Sequence, residues 1–121
     1  YYDRQGRGFT DLHEYGRLMS DESYRRVAAT YCDNVWVSTV WLGLDHGFGK
    51  GPPLIFETMV FLSPVYERLL DLVGQHSLGD SVDQDRYATE TEALAGHQRF
   101  VGQYQHWRPN DERPDEHPDH P

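Results

Sequence analysis

A chain of 121 residues with 11 basic and 20 acidic side chains, net charge −9, is one domain at most. No apolar run approaches the roughly 18 residues that span a bilayer, which excludes a membrane-spanning protein, and nothing at the start reads as a secretory leader. Affinity for nucleic acid rests on Lys and Arg neutralising phosphates, and Lys50 is the sole Lys, so no broad basic face for nucleic acid is expected.

In chain order, residues 1–10 read as a short extended piece around the turn Arg4-Gln5-Gly6-Arg7-Gly8. Asp11 and Glu14 have capping-box spacing, and Leu12, Tyr15, Leu18 and Met19 recur at helical intervals, so a first helix is predicted that ends at Ser20-Asp21-Glu22-Ser23. Tyr24 to Tyr31 reads as a strand, and Asp33-Asn34 as a turn. Cys32, with no partner for a disulfide, reads as a small buried apolar residue. Val35 to Leu44 is rich in β-branched and aromatic residues with both faces apolar, which predicts a central strand covered on both sides. A Gly- and Pro-rich loop follows, then a second β-rich run from Leu54 to Leu62.

Ser63 and Pro64 form a helix start, N-cap and first position, ahead of the stripe Val65, Leu69, Leu72 and Val73, with Gly74 as the stop. After a loop over 75–82, Arg86-Tyr87-Ala88 suggests a short edge strand. Thr89 and Glu92 make a second capping box, opening a helix from Glu90 to about His106. Beyond Trp107 the composition turns acidic and Pro-rich, so 1–107 is read as a single domain and 108–121 as a solvated tail, with His117 and His120 part of it. The predicted class is α+β: an antiparallel meander of three or four strands, helices packed on it, and a long C-terminal helix. The order helix–three strands–helix resembles the double-stranded-RNA-binding module, but the last helix opens Glu90-Thr91-Glu92 with no basic cluster, and topology alone carries no function.

Candidate chemistry centres on polar residues in or beside the β-rich runs. Asp45 and His46 close one strand, Glu57 interrupts the apolar run of its neighbour, and His97 lies on the apolar side of the last helix. Register decides whether Glu57 shares a face with His46, giving an acid/base or metal set, or with Asp45, giving paired carboxylates. His46, Glu57 and His97 together would suit a divalent metal with an open position. The loop Gly49-Lys50-Gly51 offers backbone amides and an ammonium to one anion, but the GK is followed by Gly and a strand, so it is no Walker loop. Tyr31, Trp36, Trp41, Phe56 and Phe61 could form a stacking platform for single strands, although core positions are the expectation. No nucleophile elbow surrounds Ser38 or Thr39.

The block STVWLGLDHGFGKGPPLIFETMVFL at 38–62, with YYDRQG at 1–6 and YATETEALAGH at 87–97, is similar to one shared by a family of small uncharacterised phage and actinobacterial proteins. The resemblance covers most of residues 1–106 and departs in a longer stretch at 63–81 and in the acidic tail. It implies an intracellular accessory protein in the cytoplasm of a host cell. The expectation for function is therefore a small acidic protein that binds a host or viral protein, including inhibition of a nuclease or defence complex by copying nucleic-acid charge. The alternative is a small metal-dependent hydrolase or phosphodiesterase using Asp45, His46, Glu57 and His97. A small sheet with an aromatic face also invites a homodimer.

Overall fold

The computed structural model describes residues 1–47, 49, 51–74 and 81–108; Phe48, Lys50, residues 75–80, where part of a loop is expected, and residues 109–121, where the solvated tail is expected, lie outside the described residues. Helix starts fall where the capping residues predict them. Asp11 accepts from the amides of His13 and Glu14 and opens α1, Leu12–Ser20. Glu14 turns to Arg17 instead of back to the cap, so the second arm of the box is not made. Asp21 then caps a further turn, α2, Glu22–Arg25, by accepting from Ser23 and Tyr24. The strand expected from Tyr24 therefore begins two residues later. Tyr24 is held elsewhere: its ring meets Trp41 edge-on at 5.0 Å, and its hydroxyl accepts from the Arg4 amide at 2.9 Å.

Four strands follow: β1, Arg26–Tyr31; β2, Val35–Trp41; β3, Phe56–Leu62; and β4, Asp83–Tyr87. They form one antiparallel sheet in the order β1-β2-β3-β4. β2 stops at Trp41, short of Leu44, because Gly43 adopts a left-handed φ of +75°. A Cβ there would stand 2.6 Å from both the Trp41 and Tyr15 rings, so only glycine fits that corner. The N-terminal segment closes over the same corner. The Tyr2 amide donates to the Gly43 carbonyl, and the Trp41 indole donates to the Tyr2 carbonyl at 3.0 Å.

Between β3 and β4 runs α3, Pro64–Leu72, capped by Ser63 as expected. Its stripe does not cover the sheet: Val65, Leu69, Leu72 and Val73 are all exposed. The last helix, α4, Glu90–Tyr104, is opened by Thr89 and packs across all four strands. Beneath it, facing residues alternate inward from β2 and β3: Val35, Val37, Thr39 and Trp41 against Phe56, Thr58 and Val60. This buried face splits into two apolar clusters. One joins Leu18, Trp41, Ile55, Phe56, Tyr87 and Ala93. The other joins Val35, Val37, Val60, Phe100 and Tyr104. The two are separated by a polar seam.

Candidate functional site

The seam is built around His97. Its residue is 1% exposed. Nδ1 lies 2.7 Å from the Thr39 hydroxyl and Nε2 lies 2.9 Å from the Thr30 hydroxyl. Thr39 is in turn bonded to Thr58 at 2.5 Å. Hydroxyls both donate and accept, so a neutral imidazole satisfies both nitrogens here whichever carries the hydrogen. Burial pushes its pKa below the ordinary 6.5, which keeps the ring neutral. Tyr87, bonded to Thr58, is pushed up to about 12, chiefly by burial. With both nitrogens occupied and the side chain buried, His97 is positioned to fix α4 on the sheet.

Among the described residues no helix packs across the opposite face of the sheet as α4 does; α2 borders it beside β2, and Glu57 on it is buried. Its side chains lie in three rows across the strands, read from the register. The first row is Tyr31, Trp36 and Phe61. The Tyr31 and Trp36 rings stack with centroids 5.7 Å apart and planes 17° apart, and Trp36 stacks on Phe61 at 5.1 Å and 28°. The second row is Ala29, Ser38, Met59 and Gln84. The third is Arg26, Val40, Glu57 and Arg86. Tyr31 is 71% exposed at the sheet edge. A shallow pocket of about 170 Å3 lies on this face between α2 and β2, lined by Glu22, Arg25, Arg26, Trp36, Ser38 and Val40. The expected two-sided cover of β2 is thus corrected: Trp36 and Phe61 lie on the uncovered side, Trp41 and Phe56 in the core.

The structure distributes the sequence-predicted polar residues rather than gathering them. Glu57 is opposite Val40, on the uncovered face, and accepts from Arg86 Nε at 2.9 Å. His97 lies beneath the other face, so the sheet stands between them. The His46 amide donates to the Leu54 carbonyl, and Leu54 precedes Glu57 by three residues. That is about 10 Å along an extended chain. His46 itself is exposed. Asp45 acts within its loop: Oδ1 accepts from Gly47 at 2.7 Å and Leu54 at 2.9 Å, and these backbone donors hold its carboxyl below the usual range. Neither register alternative for Glu57 is realised, because β2 ends before either candidate partner. Among the described residues no group of three or more His, Cys, Asp or Glu side chains is placed to hold a metal. Gly49 and Gly51 have φ of +93° and +98° and face open space, while Lys50 lies outside the described residues, as do His117 and His120. Cys32 is half-buried, its thiol pushed up by burial and by the Asp33 charge.

No protein-family model matches the chain, and no curated protein and no solved structure matches it either. No helix among the described residues is long and apolar enough to cross a membrane.

Proposed function

We propose that the chain is a small acidic interaction protein, of the phage-accessory kind, that binds a host or viral protein through the uncovered face of its sheet. One observation carries this reading: a stacked row of three aromatic rings, backed by Met59 and Val40, on a face that no helix packs across among the described residues. Large aromatic and Met side chains next to an Arg are what protein interfaces concentrate at their centres. A net charge of −9 opposes a polyanion on the same face. The version in which acids copy nucleic acid draws less support. Six acids, Asp3, Glu14, Glu22, Glu57, Asp85 and Glu90, are paired with Arg, and Asp11 and Asp21 cap helices. The metal-dependent alternative would need Asp45, His46, Glu57 and His97 to meet, and the sheet and the loop keep them apart.

The test uses three immobilised baits: the wild type, Trp36→Glu on the uncovered face, and Val65→Glu on α3. Circular dichroism first establishes that all three are folded. A host-cell protein held by wild type and Val65→Glu but lost from Trp36→Glu, and binding again at 1:1 when purified in calorimetry, supports the reading. Capture indifferent to Trp36→Glu overturns it. Quenching of Trp fluorescence by oligo-dT, steeply weakened by salt, overturns it in favour of single-stranded nucleic acid.

A further inference from the structure

The two edges of the sheet are built differently. β4 reads Asp-Gln-Asp-Arg-Tyr, a short strand in which Asp83, Asp85 and Arg86 carry charge. Charges and shortness are how natural sheets discourage a further strand. β1 reads Arg-Val-Ala-Ala-Thr-Tyr, and beyond Arg26 it carries no charge and no Pro. Its outer backbone is open as well. Cys32 donates to the Val35 carbonyl at the turn. Antiparallel alternation then directs the N–H and C=O of Ala29 and Tyr31 away from β2. Among the described residues neither has a hydrogen-bond partner on that side. Both side chains are exposed, on the face that carries the aromatic row.

We infer that β1 pairs antiparallel with β1 of a second copy of this chain, across a two-fold axis, joining two sheets into one of eight strands. The register follows from the outward groups. Pairing Ala29 with the other copy's Tyr31 forms two closed backbone pairs, four hydrogen bonds in all. It sets each large Tyr31 side chain against a small Ala29 and brings the two Tyr31 rings within diagonal reach. The two aromatic rows, Phe61, Trp36 and Tyr31 of each copy, then meet at a diagonal step between the two Tyr31 rings. Continued past the irregularity between Arg26 and Ala28, the same antiparallel course brings Arg25, the last residue of α2, and Arg26 towards the β1–β2 turn of the other copy. Asp33 is three-quarters exposed. Arg25 forms no ion pair, and its Nε is buried without a partner among the described residues. The edge therefore complements itself in backbone, in shape and in charge, as a two-fold interface requires. The inference concerns the edge strand and stands apart from what binds the sheet face; either can fail alone.

The test is the mass of the full chain by sedimentation equilibrium over a wide concentration range. The expected species is a dimer, about 28 kDa as twice 14.1 kDa. Ala29→Pro removes an outward N–H, which an edge strand tolerates, and should leave a folded monomer. Arg25→Asp, at a half-buried position, and Asp33→Arg, at an exposed one, keep the inference open to refutation if the proline variant misfolds. Each alone should weaken dimerisation about tenfold, 1.4 kcal/mol, and the double exchange should restore it. A monomer at all concentrations overturns the inference and leaves the edge to a strand of another protein. A dimer indifferent to all of these changes overturns it in favour of another surface.

Discussion

The two faces of the sheet share one set of strands yet differ in what covers them. Under α4 the residues of β2 and β3 are closed from water and divide into two apolar clusters with a satisfied polar seam between them. On the other side the same strands present Tyr31, Trp36 and Phe61, stacked on one another in a row. Both faces carry large aromatic rings; what sets their burial apart is the cover of α4. A strand whose residues are apolar on both sides supplies one face for stability and leaves another available for recognition.

The largest effect should separate the faces directly. Phe100→Ala, under α4, is expected to cost about 3–5 kcal/mol, while Phe61→Ala, on the uncovered face, should cost about 1 kcal/mol because water already reaches that ring. Urea unfolding of the two variants gives the comparison, and equal losses would break it. Next is Gly96, where a Cβ would collide with the Tyr87 hydroxyl. Gly96→Ala should lose about 1–3 kcal/mol despite the better helix propensity of Ala, since α4 must lift from the sheet. A gain in melting temperature would show that the helix has room to move.

His97→Asn should cost about 1–3 kcal/mol by leaving Thr39 or Thr30 short of a partner. It should also flatten the pH dependence. The folded state holds this imidazole below its ordinary 6.5, so below that pH the unfolded chain binds the extra proton. The contribution is complete above about pH 6.5 and is lost as the pH falls through 6.5 towards the folded value. Thermal melts of wild type and variant should therefore converge on acidification. The smallest effect belongs to the Asp45 loop. Asp45→Ala should speed hydrogen exchange at the Gly47 and Leu54 amides while leaving core amides unchanged. Faster exchange throughout would mean that the loop holds the hairpin together.

Much of the fold was legible because it depends on neighbours in sequence. Asp11, Ser63 and Thr89 cap helices through their own next residues, and the β-rich runs and turn signals order the meander. What sequence could not supply was cover. Val65, Leu69, Leu72 and Val73 make as good a stripe as Ala93, His97, Phe100 and Tyr104, yet only the second meets the sheet. The candidate site was harder still. Glu57 and His97 each lie on an apolar run, and only register and helix placement show that a sheet divides them. The aromatic row had a weak signal: Ser38 on the Trp36 side of β2 marks a face nearer to water than one lined by Val35 and Val37.

Among the described residues α4 packs on every strand, and α1, α2 and α3 do not. The four strands and the three earlier helices all precede it in the sequence. During synthesis from the N-terminus the meander can pair before its cover exists, and it then offers both faces and an unguarded β1 edge at once. Strand pairing in this chain should be early and sticky, and protection late, so the interval between the release of β4 and the docking of α4 is when a nascent copy is most exposed to aggregation and to chaperones.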